Sequence, residues 1–154
     1  MQSTWNRRTA LFAARSSFGA IAAWIALTTL LHATGPELLW TALDLPFRLL
    51  CHRIPERVIS IAGTPLPMCS RCTGLWLGAS ISAALAWPTL SLRTLRIVLP
   101  VALALMALEV VTQDLGLHPV FHPTRLLSGL LVSVPLGGAI GAMITKELGG
   151  ADRG

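Results

Sequence analysis

The chain has 154 residues, of which 53% are hydrophobic and only 12% are charged, and its mean hydropathy is +0.67. This apolar content excludes a water-soluble globule, and the low charge excludes a disordered chain and a coiled coil. The net charge of +5 comes mainly from arginines between apolar runs, which is typical of membrane orientation rather than of nucleic-acid binding. We therefore expect an all-α integral membrane bundle that contacts the lipid bilayer and binds no nucleic acid.

Four apolar runs predict membrane spans, each of which needs about 20 helical residues. The predicted spans are residues 11–33, 73–88, 97–112 and 126–145, in a single membrane domain of residues 1–154. A cleaved signal peptide is the alternative for the first run, but no Ala-x-Ala cleavage site follows it, so we predict a retained anchor. Gly74-x-x-x-Gly78 and Gly137-x-x-x-Gly141 in the second and fourth runs predict close helix packing.

Residues 36–50 differ from these runs, because leucines are interleaved with charged residues over a stretch too short to cross a bilayer. The pattern predicts a short interfacial or re-entrant helix that begins near Pro36. A fifth crossing by this segment is the alternative, and it would reverse the sidedness of the chain that follows.

With four crossings, the basic residues divide between two faces of the membrane. The larger group consists of Arg7, Arg8, Arg15, Arg93, Arg96, Lys146 and Arg153. Because cytoplasmic segments carry the excess of positive charge, both termini are predicted to be cytoplasmic, in a prokaryotic inner or plasma membrane. The loops 34–72 and 114–125 then share the outer face, where their side chains can meet.

All three cysteines lie between residues 51 and 72, in a predicted Cys/His-bearing loop. The Cys69-x-x-Cys72 spacing places two thiolates close enough for one tetrahedral ion, and Cys51 with His52 completes a Cys₃His set. Zinc suits soft sulfur combined with imidazole, so we predict a zinc site at these four residues. Covalent haem is excluded, because Thr73 stands where its attachment motif has histidine.

Two alternatives to this zinc site stay open. In the first, Cys69 and Cys72 form a redox-active disulfide and Cys51 is a resolving thiol; the pair precedes a predicted helix, but no βαβ pattern surrounds it. In the second, the metal is a structural clip in a subunit of a larger assembly. The histidine ligand is also open, because the side chains of neighbouring residues rarely point at one ion. The loop histidines His118 and His122 are the alternatives to His52.

Glu109 interrupts an otherwise apolar span, and an ionisable residue there usually faces a polar cavity. Gln113 lies one helical turn later on the same face. Glu109 is therefore a candidate proton carrier or general base, and His52 is the second candidate catalytic residue. The alternative for Glu109 is a purely structural ion pair with Arg71 or Arg125.

Several polar residues surround the cysteines, and guanidinium forks bind phosphate or carboxylate in two-pronged geometry. The candidate substrate-binding residues are Arg53, Arg57, Arg71, Gln113, His122 and Arg125. They predict an anionic lipid headgroup or a phosphorylated compound as the ligand, with interfacial snorkelling of the arginines as the alternative. Because the chain carries no hydrolase, kinase or protease motif, we leave its enzymatic activity open.

These residues resemble a family of small prokaryotic membrane proteins of unknown function, whose signature is Cys-His-x-x-Pro-x-Arg followed by Pro-x-Cys-x-Arg-Cys-x-Gly. The matching residues are Cys51, His52, Pro55, Arg57, Pro67, Cys69, Arg71, Cys72 and Gly74. The family also has Asp-Gly-x-x-Gln and Arg-x-x-Thr-Gly segments, and here Gln113 and Arg125 agree while Glu109-Val110 and Ser128-Gly129 depart. The resemblance covers residues 49–141 and implies a multi-span membrane protein without an established activity.

Overall fold

The structure, a computed structural model, describes the helices and strands of residues 2–149 and the side chains of residues 7–148. Within these residues there are five α-helices and one two-stranded sheet. The helices are α1 (Gln2–Thr34), α2 (Glu37–Leu50), α3 (Ser70–Leu85), α4 (Leu92–Asp114) and α5 (His122–Gly149), and the strands are β1 (Val58–Ile61) and β2 (Thr64–Cys69). A turn of 3-10 helix precedes β1.

Three of these helices are long and apolar enough to cross a membrane. The segments are Arg7–Thr34 of α1, Leu92–Asp114 of α4 and His122–Leu148 of α5, and they lie where the sequence predicts the first, third and fourth spans. The second predicted span, residues 73–88, is not confirmed. Its helix α3 has only 16 residues and ends before Ala86, so it is about 24 Å long against a hydrocarbon core of about 30 Å.

The predicted loop between residues 51 and 72 contains a β-hairpin, which corrects the all-α prediction. β1 pairs with β2 in antiparallel register, with Ile61 opposite Thr64. The two residues between the strands, Ala62 and Gly63, both have positive φ, at 51° and 82°. A two-residue connection with both residues in this region matches the right-handed twist of the strands and closes a tight hairpin.

The predicted short helix before this hairpin is α2, and it folds back along the second half of α1. The indole Nε1 of Trp24 donates to the Leu43 carbonyl at 3.0 Å, and the rings of His32 and Trp40 lie 4.2 Å apart. The buried residues of α2 are Asp44 and Phe47, whereas its leucines are largely exposed. The helix therefore turns a carboxylate inward and its leucines outward, an arrangement suited to contact with lipid.

Glycines bring α3 and α5 into direct backbone contact. A Cβ added at Gly74 would collide with the Leu126 carbonyl, and one added at Gly137 would collide with the Ala79 carbonyl. The predicted close packing of helices at the two glycine pairs is thus confirmed. Gly74 lies against Leu126 near the start of both helices, and Gly141 lies against Ala83 further along both. α5 therefore runs parallel to α3, and the N-terminal ends of both helices lie at the same end of the bundle.

The two predicted outer loops do meet at this end of the bundle. Arg57, in the turn before β1, donates to Asp114 at the end of α4 with an Nη2–Oδ1 distance of 2.9 Å. At the opposite end, the Arg15 Nε donates to the Ala84 carbonyl at 2.6 Å and fixes α1 against α3. The segment that carries the cysteines therefore sits over the ends of α3, α4 and α5.

Candidate functional site

Three structural elements bring the three cysteines together. Cys51 directly follows α2, Cys69 ends β2, and Cys72 lies in the first turn of α3. Their Sγ atoms all lie within 4.8 Å of one another, and no disulfide joins them. In a tetrahedral zinc site with Zn–S bonds of about 2.3 Å, sulfur atoms lie about 3.8 Å apart. The arrangement is therefore close to that of three ligands of one ion.

The surroundings of these sulfurs favour the thiolate form of Cys69, whereas the pKa of Cys72 is raised by its hydrogen bond to Cys69 and by burial. The backbone N–H of Cys69 donates to the Cys51 Sγ at 3.3 Å. A hydrogen bond from Cys72 lowers the pKa of the Cys69 thiol well below its ordinary value, against the opposing effect of burial, and a hydrogen bond from Cys51 and the positive charge of Arg125 add to the lowering. A thiolate at neutral pH is the form that binds metals and attacks disulfides.

The structure does not bring the predicted histidine ligands into this group of sulfurs. Cys51 is extended, with φ −143° and ψ 130°, so the side chain of His52 points away from it and is exposed. His122 begins α5 and is half-buried, while the His118 Nε2 lies 2.9 Å from the Thr112 Oγ1. Among the described residues, the three cysteines form the only group of metal-ligand atoms this close together.

A cavity of about 230 Å³ opens beside the three sulfurs. It is lined by all three cysteines, by His52, and by Arg53, Arg57, Arg71 and Arg125. The four arginines that the sequence predicts as substrate-binding residues thus line one cavity with the predicted metal ligands. A cavity with this lining attracts anions.

Three of these arginines pair with carboxylates. Arg53 forms a two-pronged ion pair with Asp44, Arg57 binds Asp114, and Arg71 binds Glu109. The side chains of Arg71 and Glu109 are only 13% and 15% exposed. From the sequence, a structural ion pair with Arg71 or Arg125 is the alternative for Glu109. The structure contains this ion pair, with Arg71 as the partner.

Arg125 differs from the other three arginines, because its hydrogen-bond partner is neutral. Its guanidinium is 2% exposed and donates to the side-chain carbonyl oxygen of Gln113. Several buried polar atoms around it have no hydrogen-bond partner in the described part of the chain. They are the Nε atoms of Arg53, Arg71 and Arg125, Gln113 Nε2, Glu109 Oε1 and His122 Nδ1.

Asp44 binds the cavity residue Arg53 and was not among the predicted site residues, because the sequence shows it only as one of the charged residues interleaved with leucines in residues 36–50. It is 3% exposed and accepts from both Arg53 and Arg48. Burial acts to raise the pKa of Asp44, but the hydrogen bonds from the two arginines outweigh it and hold the pKa below its ordinary value. The spacing of Asp44 and Arg48, four residues apart on one helix, is the sequence signal for this pair.

The part of the chain that carries the site is matched by a known protein family. The profile of the family described as predicted membrane protein (DUF2085) matches residues 51–138, which is more than half of the chain. The chain belongs to this family. The matched region of this DUF2085 protein begins at Cys51 and contains all three cysteines and the four arginines of the cavity, whereas α1 and α2 precede it.

Two similar proteins of archaea are described as uncharacterised. An uncharacterised protein of Methanothermobacter thermautotrophicus is 61% identical over 33 residues, which are 21% of this chain and 30% of that protein. An uncharacterised protein of Methanocaldococcus jannaschii is 29% identical over 89 residues, which are 55% of this chain and 57% of that protein. The chain thus spans less than two thirds of either relative. No solved structure matches it.

Proposed function

We propose that this DUF2085 membrane protein holds a zinc ion with three cysteine thiolates and presents the ion to a ligand in the arginine-lined cavity. The observation that carries the proposal is the convergence of the three Sγ atoms within 4.8 Å at the wall of that cavity. Catalytic zinc sites have three protein ligands and keep one position for water or substrate, whereas structural sites have four. Three cysteines beside a cavity correspond to the first kind of site.

The charge around the sulfurs supports the same proposal. A divalent ion held by three thiolates carries one net negative charge. The buried Arg125 faces the cysteines from α5, and no carboxylate of the described residues pairs with it. A buried charge is stable when an opposite charge lies beside it. The guanidinium of Arg125 thus suits a negatively charged metal centre better than it suits three neutral thiols.

The two predicted catalytic residues take different places in this proposal. His52 lies exposed at the rim of the cavity, where its imidazole can form a hydrogen bond with a bound ligand. Glu109 is engaged by Arg71, so it acts by positioning that guanidinium. A zinc ion held by the three cysteines would act as a Lewis acid next to the ligand.

Thiol–disulfide exchange is the second candidate function, and a specific observation favours it. Cys69 directly precedes α3, and Cys72 lies in its first turn. In such an exchange the Cys69 thiolate attacks a partner disulfide and releases one partner thiolate, and Cys72 then attacks the mixed disulfide and releases the other. One disulfide is lost in the partner and one is formed between Cys69 and Cys72.

Metal content and thiol counting on the purified full chain separate the two candidates. The metal centre predicts about one equivalent of zinc with three reduced thiols, and Cys51→Ser, Cys69→Ser and Cys72→Ser each lower the zinc content because each removes a ligand. The matched control is His52→Ala, which retains zinc because its ring lies outside the sulfur group. A metal-free protein whose Cys69–Cys72 disulfide cycles with a dithiol donor would establish the second candidate instead.

A further inference from the structure

The cavity beside the cysteines has more hydrogen-bond donors than acceptors. Four buried N–H groups lack an acceptor in the described part of the chain: the Nε groups of Arg53, Arg71 and Arg125, and the Gln113 amide. A buried donor without a partner costs roughly 1–3 kcal/mol. The three sulfurs accept none of these four hydrogen bonds, and Glu109 Oε1, the one carboxylate oxygen there that also lacks a partner, cannot serve all four donors. An acceptor that the described residues do not supply is therefore missing.

The positive charge around the cavity is also incompletely neutralised. Asp44 is the carboxylate partner of both Arg48 and Arg53, so two guanidinium groups share one negative charge. Arg57 and Arg71 each have one carboxylate partner, and Arg125 has none among the described residues. Five guanidinium groups thus face three carboxylates, so one positive charge remains for a further anion even when the single negative charge of the metal centre is counted.

Two helix N-termini reinforce this excess of positive charge. α3 and α5 begin at the same end of the bundle, and the close approach of Gly74 to the Leu126 carbonyl keeps their first turns together. The N-terminus of an α-helix carries about half a positive charge and exposes N–H groups, a combination that binds phosphate. The cavity is lined from α3 by Arg71 and from α5 by Arg125.

We infer that the arginine-lined cavity binds a phosphate group, held by the forks of Arg71 and Arg125 beside the cysteine cluster. Guanidinium forks match the oxygens of phosphate in pairs, and basic pockets between membrane helices bind phosphorylated lipid headgroups. The inference rests on the proposed function only for the position of the zinc ion, which is measured separately. A lipid headgroup and a free phosphate compound offer the same chemistry to the two forks.

Calorimetric titration of the full chain in a neutral detergent tests this inference. The probes are dihexanoyl phosphatidic acid, inorganic phosphate, and dioctanoylglycerol as a lipid without phosphate. We expect saturable binding of a phosphate probe and none of dioctanoylglycerol. Arg71→Lys and Arg125→Lys keep the charge but remove the fork, and each is expected to weaken binding roughly tenfold or more. The matched control is Arg96→Lys, exposed at the far end of α4, with less than a twofold effect.

The outcomes identify the source of the phosphate or overturn the inference. Binding of phosphatidic acid alone identifies a lipid headgroup, and equal binding of inorganic phosphate identifies a soluble compound. Wild-type protein that binds neither phosphate probe overturns the inference, as do arginine variants that bind like wild type. Zinc content measured on the same samples keeps a failure of the metal proposal distinct from a failure of phosphate binding.

A second measurement uses wild-type protein only, in case the buried arginines prove necessary for folding. After removal of metal, a bound phosphate probe is expected to slow alkylation of the cysteines that line the cavity, because the probe covers them. Unchanged alkylation kinetics at saturating probe would contradict the inference.

Discussion

Asp44 fixes the segment that carries the first cysteine, because its carboxylate binds Arg53, two residues after Cys51. Arg53 has a φ of 50°, a conformation that is uncommon for residues other than glycine. The ion pair holds this conformation in place. We expect Asp44→Asn to reduce the free energy of unfolding by about 2 kcal/mol, the range for hydrogen bonds to charged groups, measured as a lower Tm in detergent.

The control for this prediction is Asp114→Asn, which removes an ion pair of the same cavity at the surface. The Asp114 side chain is 53% exposed, so water screens the pair and its loss should cost less than about 1 kcal/mol. Equal losses in the free energy of unfolding for the two substitutions would show that burial of Asp44 does not strengthen its ion pair.

The contribution of Asp44 to the stability of the fold should also depend on pH. Its pKa in the folded protein lies below the ordinary value of 3.8, so ionised Asp44 stabilises the fold above that value, and the stabilisation is lost as the pH falls through the folded-state pKa. The difference in Tm between wild type and Asp44→Asn should be constant above about pH 5 and shrink below about pH 4. A difference that grows on acidification would mean that the pKa is raised.

For individual residues, the sequence predicts which residue types form the site better than it predicts how their side chains are arranged. The spacing of the cysteines predicted that they converge, and the ion pair of Glu109 was one of its two stated alternatives. Which partner Glu109 takes, and the burial of Asp44, depend on contacts between segments far apart in the chain, which a local pattern does not contain. The exposure of His52 follows from the extended backbone at Cys51.

At the scale of the elements, the contact between α3 and α5 depends on residues without side chains. A Cβ at Gly74 would meet the Leu126 carbonyl, so we expect Gly74→Ala to separate the two helices, lower the Tm and displace Cys72. Gly19→Ala is the matched control, because nothing lies within 4 Å of a Cβ at that position of α1. A Tm for Gly74→Ala equal to that of the control would contradict the packing.

The secondary structure also shows where the hydropathy pattern predicts poorly. The hairpin was not predicted because β2 contains Pro65 and Pro67, and proline within a run argues against a central strand. In an isolated two-stranded hairpin each strand is an edge, so proline is tolerated there. Helix α3 has 16 residues, the same length as the predicted span, but begins and ends three residues earlier, because Ala86 takes a left-handed conformation that ends the helix.

In the whole molecule, the basic residues predicted to be cytoplasmic lie at one end of the bundle and the cysteine cluster lies at the other. The group predicted to be cytoplasmic occupies the start of α1, the start of α4 and the end of α5, opposite the cysteine cluster; Arg153 lies outside the described residues. Reporter fusions after Thr64 and after Arg93 test the orientation. We expect the Thr64 fusion to report the outer face and the Arg93 fusion the cytoplasm, following the positive-inside rule. An external Arg93 would reverse the bundle.

X-ray absorption at the zinc edge, recorded on the purified full chain, measures whether three sulfurs hold one metal ion at the end of this bundle. We expect three sulfur neighbours at about 2.3 Å and one nitrogen or oxygen neighbour at about 2.0–2.1 Å. A coordination shell of nitrogen and oxygen alone, or a protein that binds no zinc with its cysteines reduced, would contradict this expectation.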